Sequence, residues 1–484
     1  MSAPLRAAAA VAMFLLAGAG AMAFAQDAGQ SASATQGAGQ SAALTLTVDQ
    51  AVARALANQP LIQQAQAAVE AARARVGEAN SAYYPFLNGT ASYNRLSDES
   101  FPLGALLPPA AELSQFGITI PPSFAPLLNA PFSFAPVNSW DFKLGFNQVI
   151  FQFGRRGIQV KLAENGVSAA EIGVEQIRSS LAFQAAQGFY TVLFLKQQLA
   201  ALDTQLANLQ EHLDAVRVRT QTGAATRYDE LSTEVRITAL QSQRIDADNM
   251  LNKQAVGLKL LLGIEANTQL DLSGDFTPGA AASPDEQAQV ASALSRRPEI
   301  RQAVEAERAA ELNRRLSTMG AWPTISGHAS VGYSNGILPD LNTPVLNWVA
   351  GVQVNVPIFQ GFLVARQGEE ADKKLLAARQ NTMQVKRTIT IQVLQAMQDI
   401  DAGGRQVESA QVQLGQAKEM LDVVKLQYDL GMLTNLEYLD AQASLERAQL
   451  SSLQSQYRQV LNQYSLDLAT GAPFWLMGPG ATGK

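Results

Sequence analysis

The stretch VLFLKQQLAALDTQLANLQEHLDAV, residues 192–216, decides the fold. Its apolar residues recur at alternating spacings of three and four, which is the pattern of a sustained coiled-coil seam. A helix that runs unbroken from Gly157 to Thr222 is about 100 Å long at roughly 1.5 Å per residue, and a compact domain needs no such reach. The seam therefore predicts a long projecting helix, and its members are Val192, Leu195, Leu199, Leu202, Leu206, Leu209, Leu213 and Val216.

The chain contains a second copy of this seam. A shift of 421 − 213 = 208 residues places Leu213 on Leu421 and also places Gly223 on Gly431. Each glycine follows a seam where a helix C-terminus favours glycine, and a returning helix comes next. A repeat of this length is too long for a solenoid unit. The sequence thus predicts a duplicated half that projects a helical hairpin, and the second seam consists of Val407, Ala410, Leu414, Ala417, Leu421 and Val424.

The two halves differ by one enlarged loop. Upstream of the loop, a shift of 298 − 60 = 238 residues places Pro60 on Pro298, which is 238 − 208 = 30 residues more than the downstream shift. The surplus lies in a proline-rich stretch, residues 102–136, of the first half only. Pro60 and Pro298 each predict the start of a helix, since proline is accepted in the first helical turn.

The N-terminus has the features of an export signal. An apolar run ends at Phe24 and the chain turns polar at Gln26, which predicts a signal sequence cleaved between Ala25 and Gln26. Residues 26–44 are rich in Gln, Ser, Gly and Ala and are predicted to be a disordered linker. The chain has no cysteine, which excludes disulfides and lipoprotein acylation. A net charge of −6 argues against nucleic acid as a partner.

Between the helices of each half, apolar residues alternate with polar ones. WDFKLGFN, residues 140–147, is one example. A period of two is typical of a half-buried strand, so the pattern predicts four two-faced strands in two hairpins. The four apolar sets are Leu87, Gly89, Ala91 and Tyr93; Trp140, Phe142, Leu144 and Phe146; Ile325, Ala329, Val331 and Tyr333; and Trp348, Ala350, Val352, Val354 and Val356.

The alternation by itself fits two structures equally, a soluble antiparallel sheet that meets helices and a sheet with one lipid-facing surface. Three observations favour the membrane: the export signal, the lack of another candidate span, and Trp140 and Trp348 near strand ends, where aromatic girdles lie. Four strands are too few to close a membrane barrel, and open sheet edges are not tolerated in hydrocarbon. A membrane barrel must therefore be shared among several chains.

Capping boxes mark the start of both repeats, because Thr47 with Gln50 and Ser283 with Glu286 have the required spacing. The predicted parts of the chain are a signal sequence at 1–25, a linker at 26–44, a first repeat at 45–270, a second repeat at 283–471 and a tail at 472–484. Within the first repeat, a β-hairpin is predicted at about 86–150 and a helical hairpin at about 155–262. Within the second repeat, a β-hairpin is predicted at about 324–359 and a helical hairpin at about 363–470.

Two hairpin tips carry a resemblance to a known family. They read TGAATRYDEL at residues 222–231 and LGMLTNLEYLDAQ at residues 430–442, and a P-x-F entry occurs at Pro357. With the duplicated layout, the chain resembles the TolC family of outer-membrane efflux and secretion channels. The resemblance implies an α+β membrane protein, namely a homotrimer with a twelve-stranded β-barrel, four strands per chain, continued by a long α-helical coiled-coil barrel that is closed at its periplasmic end.

The resemblance also implies the function and the partners. The chain would be a passive exit duct in the outer membrane of a Gram-negative-type envelope, with outer-membrane lipid around its barrel and its helices in the periplasm. A periplasmic adaptor would couple it to an inner-membrane pump of the RND or ABC type, as in tripartite efflux or type I secretion. Neither catalysis nor a cofactor is implied.

The resemblance carries a periplasmic gate onto particular residues. Asp229 on the first tip would face Tyr428 on the second, a carboxylate-to-phenol hydrogen bond. The family's latch also uses an arginine on the second tip, but Leu433 occupies that position, and Arg227 on the first tip is a candidate substitute. Glu437 and Asp440 match the family's acidic pair. In a trimer they would place six carboxylates around one axis, which favours cations.

Some of these residues also have a purely structural interpretation. Thr226 with Asp229, and Thr434 with Glu437, have capping-box spacing, and a capping role does not exclude gating. Asp440 and Tyr428 have no capping offset, which favours gating for them. By resemblance alone, the tip surface met by the adaptor would consist of Gly223, Thr226, Leu231, Gly431, Thr434 and Leu439.

Two further classes of function compete with the channel. A periplasmic coiled-coil scaffold or adaptor with a soluble β-domain is the main alternative, and an enzyme is the weakest because the sequence offers no catalytic constellation. The two histidines are predicted to lie outside any ligand cluster, His212 beside Leu213 on the seam helix and His328 on the polar face of a strand.

Overall fold

The computed structural model describes residues 44–97, 101–102, 105, 107–129, 131–132, 136–276, 285–336 and 342–473. The predicted signal sequence, nearly all of the predicted linker and most of the predicted tail lie outside the described residues, as does Ser283.

Long helices dominate the described residues. None of these helices combines the length and the hydrophobicity that crossing a membrane requires. The helices are α1 Val48–Asn58, α2 Pro60–Ser81, α3 Ala110–Gln115, α4 Ala125–Leu128, α5 Arg155–Gln221, α6 Arg227–Leu261, α7 Glu286–Arg296, α8 Pro298–Thr318, α9 Leu363–Asp429 and α10 Asn435–Thr470.

The strands of the described residues form three small sheets. One joins β1 to β6 in parallel, one is antiparallel with the order β2-β5-β7-β8, and one joins β3 to β4 inside the enlarged loop. The strands are β1 Leu44–Leu46, β2 Phe86–Arg95, β3 Phe101–Pro102, β4 Pro131–Phe132, β5 Asn138–Phe151, β6 Leu270–Leu272, β7 Thr324–Ser334 and β8 Val345–Asn355.

The two projecting helices have the same length. α5 and α9 each contain 67 residues, or about 100 Å, so the predicted long unbroken helix is confirmed. The helices that return, α6 and α10, contain 35 and 36 residues. Pro60 and Pro298 stand in the first turns of α2 and α8, as predicted. At the start of α7 the cap is Asp285, which accepts a hydrogen bond from the main chain of Gln287.

The four-stranded sheet has one continuous apolar face. Its register aligns Gly89, Leu144, Val331 and Trp348 in a single row across all four strands. Directly opposed residues share a face, so the four predicted apolar sets lie together. Leu87 and Trp348 on this face are 68% and 73% exposed. In the described chain, therefore, nothing covers the apolar face of this sheet.

The buried core is divided among three sites along the helices. One surrounds Phe189 of α5 and includes α1 residues and Leu258 of α6. Another joins α7 and α8 to Val393 of α9. The third lies near the ends of the two hairpins, where α5, α6, α9 and α10 meet; its buried members are Leu202, Leu206, Leu209, Leu213, Ile237, Leu240, Ala247, Tyr428, Tyr438 and Leu439.

Candidate functional site at the helical hairpin tips

Both long helices end in the same turn. Gly223 follows α5 and Gly431 follows α9, each with φ of 75°. The next residue of each tip bonds back across the turn, from Ala224 N–H to the Arg219 carbonyl at 2.8 Å and from Met432 N–H to the Gln427 carbonyl at 2.9 Å. This is the Schellman motif, which needs a left-handed residue that glycine supplies without strain. The predicted glycine ends of both helices are thus confirmed.

Both returning helices begin with a capping box. The Asp229 carboxylate accepts hydrogen bonds from the Thr226 main-chain N–H at 2.9 Å and from its hydroxyl at 2.6 Å. The Glu437 carboxylate does the same with Thr434, at 2.7 and 2.8 Å. The hydrogen bond from the Thr434 main chain is the main reason that the pKa of Glu437 is lowered. The predicted capping roles of these threonine–acid pairs are therefore confirmed.

Asn435, the first residue of α10, joins the two tips. Its side chain is 4% exposed, and its amide nitrogen donates to the Asp229 carbonyl at 3.1 Å, to the Ser232 hydroxyl at 3.3 Å and to the Thr233 hydroxyl at 3.2 Å, all on α6. Its amide oxygen lies 2.7 Å from Nε2 of His212 on α5. One side chain of the second hairpin thus holds both helices of the first.

Two tyrosines enclose the imidazole of His212. The Tyr438 ring stacks on it with centroids 4.0 Å apart and planes 22° from parallel, and the Tyr428 ring lies 5.3 Å away. Burial raises the pKa of both phenols, so both stay neutral and donate no charge to the site. His212, Tyr428, Asn435 and Tyr438, together with Arg219 described next, are called the tip cluster.

Arg219, in the last turn of α5, supplies a cation to the end of α9. Its guanidinium donates to the Asp429 carboxylate at 2.9 Å and to the Tyr428 carbonyl at 3.3 Å. It also lies over the Tyr428 ring, 4.6 Å from the centroid. A cation at a helix C-terminus satisfies free carbonyl groups and interacts favourably with the helix dipole. Arg219 therefore bonds both the main chain and a side chain across the two hairpins.

The predicted hydrogen bond between Asp229 and Tyr428 is not formed within the described chain. The carboxylate of Asp229 accepts instead from the main-chain N–H and the hydroxyl of Thr226, in the capping box at the start of α6. The contact with the other hairpin is made instead by the main-chain carbonyl of Asp229, through Asn435.

The structure does not place Arg227, the candidate substitute for the family's arginine, in an ion pair between the hairpins. Arg227 is 65% exposed and pairs with Glu230 of its own helix at 2.5 Å, because the two lie one helical turn apart. Two other cations cross between the hairpins: Arg219, which pairs with Asp429, and Arg236 of α6, which pairs with Glu446 of α10. Leu433, at the position of the family's arginine, packs partly buried against the core between the hairpins.

The tip surface is only partly the one predicted. Leu439 is 8% exposed and belongs to the core between the hairpins, because it lies on the inner face of α10, so the exposed surface of the tips does not include it. Leu231, in contrast, is exposed, as are Gly223, Thr226, Gly431 and Thr434. The sequence interpretation missed four exposed apolar side chains at the tips, which are Tyr228, Leu430, Met432 and Leu436.

Two long helical hairpins in contact at their tips, attached to a four-stranded sheet with an uncovered apolar face, define an α+β channel fold. The chain belongs to the outer membrane efflux protein family, whose model matches residues 51–264 and 290–472. The family consists of efflux channels, which are passive conduits, and it places the protein in the outer membrane. The periplasmic scaffold that the sequence left open is thereby not supported.

Known members of the family resemble the chain over most of its length. The outer membrane efflux protein BepC of Brucella suis is 28% identical over 67% of this chain and 70% of its own. The outer membrane protein TolC of Escherichia coli is 23% identical over 69% of this chain and 70% of its own. The crystal structure of the Campylobacter jejuni CmeC outer membrane channel has a TM-score of 0.72 at 18% identity, covering 88% of this chain and 85% of that one.

Proposed function

We propose that the chain is the exit duct of a tripartite efflux or type I secretion system. Three copies form one channel, with twelve strands in the outer membrane and the helical hairpins as a tunnel in the periplasm. A periplasmic adaptor links the tunnel to an inner-membrane pump of the RND or ABC type, which supplies the energy. The tips of the hairpins close the tunnel at rest.

The sheet supports the threefold assembly. β2 and β8 are its edges in the described chain, each with one neighbouring strand. Free edge N–H and C=O groups are costly in hydrocarbon, where no water can bond them. Three copies supply 3 × 4 = 12 strands, and joining each β8 to the β2 of a neighbour removes every edge. The exposed apolar face then meets lipid.

The tip cluster carries the proposal of a gate. Arg219 and Asn435 bond one hairpin to the other at the far end of helices 67 residues long. A contact at that place adds little to the stability of the core around Phe189, but it decides whether the ends of the hairpins stay together. Opening exposes the cluster to water, which replaces the hydrogen bonds that are lost, so closed and open states differ by a modest free energy.

The lack of cysteine in the chain allows a direct test, since introduced thiols are then the only ones. Arg219→Cys with Asp429→Cys would be joined by a cleavable thiol-reactive linker that spans the former ion pair. The linked channel is expected to stay in its low-conductance state in planar bilayers, and cleavage is expected to release it. The matched control is Arg217→Cys with Glu234→Cys, a pair 2.9 Å apart within the first hairpin.

Equal conductance of the linked and the cleaved channel would contradict the gate. The assembly is tested separately by extracting the protein from the outer-membrane fraction and measuring its mass in detergent by light scattering. A trimer is expected, and a monomer would overturn the shared barrel.

A further inference from the structure

We propose that His212 makes the gate sensitive to protons, so that protonation of its imidazole separates the two hairpins and a mildly acidic periplasm favours opening. The proposal rests on the gating function proposed above and adds its regulation. It begins from the position of His212, whose side chain is 7% exposed and lies where both hairpins meet.

The hydrogen bonds fix which ring nitrogen carries the proton in the closed tip. The amide nitrogen of Asn435 is oriented by three acceptors on α6, at Asp229, Ser232 and Thr233. The amide oxygen therefore points at His212 Nε2, 2.7 Å away, and an oxygen can only accept. Neutral His212 must thus carry its proton on Nε2. A second proton has to go to Nδ1, to which no group of the described residues is hydrogen-bonded in the closed tip.

The charged groups around the ring do not compensate a second proton. The ring faces two cations, Arg219 on α5 and Lys425 on α9. Three carboxylates lie nearby: Glu211 on the exposed side of α5, Asp429 on α9, and Asp229 on α6, which caps its own helix. The phenols of Tyr428 on α9 and Tyr438 on α10 are neutral. The only carboxylate of α9 at the site, Asp429, is already paired with Arg219. An imidazolium formed here meets two nearby cations and little free negative charge.

Burial is the main reason that the pKa of His212 is lowered, with Arg219 and Lys425 acting in the same direction and the Asn435 hydrogen bond and Asp429 opposing it. When the hairpins separate, the imidazole enters water and its pKa returns to about 6.5. The open state therefore binds the proton more tightly than the closed state.

The direction of the pH effect follows from this difference. Above about pH 6.5 both states are neutral and the equilibrium does not depend on His212. Below that pH, each unit of acidification raises the ratio of open to closed tips by up to about tenfold per chain, until the lowered pKa of the closed state is reached. Three chains around one axis multiply this effect.

The two histidines of the chain allow a matched experiment. Conductance would be recorded in planar bilayers from about pH 8 to about pH 5 for the wild type, His212→Gln and His328→Gln. Glutamine at 212 still donates to Asn435 but does not titrate. Wild type and His328→Gln are expected to open increasingly below about pH 6.5, whereas His212→Gln stays flat.

A rise in His212→Gln equal to that of the wild type would overturn the proposal, and so would a wild type that conducts but shows no rise. A channel that fails to conduct at every pH would instead count against the proposed function. In case His212→Gln does not assemble, the imidazoles of the wild type can be titrated by NMR with labelled histidine. His212 is expected to titrate below about 6.5, the value of an imidazole in water, and a value at or above that would equally overturn the switch.

Discussion

His212 Nε2 and Asn435 Oδ1, 223 residues apart in the chain, lie 2.7 Å apart in a buried hydrogen bond. The bond connects the C-terminal part of α5 in one repeat to the first residue of α10 in the other. Neither partner has an identical residue at the equivalent position of the other copy. At the shift of 208 residues, Met420 stands for His212 and Arg227 stands for Asn435 (420 − 212 = 208 and 435 − 227 = 208). This contact between the two hairpins is therefore made by residues in which the two copies differ.

Asn435→Ala is expected to raise the open probability of the channel about tenfold or more. The substitution leaves the His212 N–H without its partner in the closed state, which costs about 1–3 kcal/mol, whereas water bonds this group when the tip is open. Single-channel recording measures the change. Arg227→Ala, at the equivalent position of the first tip, is the control, and an equal effect of both variants would contradict the role of Asn435.

Arg219→Ala is expected to open the gate to a smaller extent, by a few-fold. The ion pair with Asp429 is partly exposed and so contributes up to about 1 kcal/mol, and the cation–π contact adds about 0.5–1 kcal/mol. High salt should reproduce part of the effect in the wild type. Arg217→Ala, which breaks pairs within the first hairpin only, should leave conductance unchanged. If Arg217→Ala opens the channel as much as Arg219→Ala, the ion pair between Arg219 and Asp429 has no special role in closing the channel.

Asp467→Asn is expected to stabilise the protein at neutral pH. Burial raises the pKa of Asp467 to about 6, from 3.8, so the folded protein disfavours the ionised carboxylate. The penalty, on the order of 3 kcal/mol, is present above pH 6 and fades as the pH falls toward 4. Thermal unfolding midpoints should therefore differ between variant and wild type at pH 7.5 and converge near pH 4. The exposed carboxylate of Asp214 provides the control, because Asp214→Asn should not alter the pH profile.

Phe189→Ala is expected to destabilise the fold without opening the gate. Phe189 is 1% exposed at the centre of the core near α1, and removing a buried phenyl ring costs about 3–5 kcal/mol. The tip of α5 is about 45 Å away, so conductance should not change while the unfolding midpoint falls. Phe116→Ala, at an exposed loop position, should change neither. A gating change in Phe189→Ala with an unchanged midpoint would contradict this separation.

The sequence predicted the elements whose causes are local. The seam spacing gave the long helices, the alternation gave the four strands, and the Thr226 and Thr434 capping boxes and the turn glycines gave the hairpin tips. Each of these depends on residues within one or two turns of each other, so a pattern in the chain is sufficient.

The tip cluster could not be predicted in the same way, because its partners come from four helices. Which atom of Asp229 faces the second hairpin depends on whether its carboxylate is already used, and the capping box uses it. The two copies differ at His212, Asn435 and Tyr438, but they also differ at most neighbouring positions of the tips, so a comparison of the copies does not single these residues out.

The length of the two projecting helices has a mechanical consequence. A rod of about 100 Å moves its free end by about 1.7 Å for each degree that its base rotates. A hydrogen bond such as that between His212 and Asn435 is lost once its atoms separate beyond about 3.5 Å. The hairpins are thus lever arms, and a rotation of one or two degrees near the sheet is enough to break the contact between their tips on which the proposed gate depends.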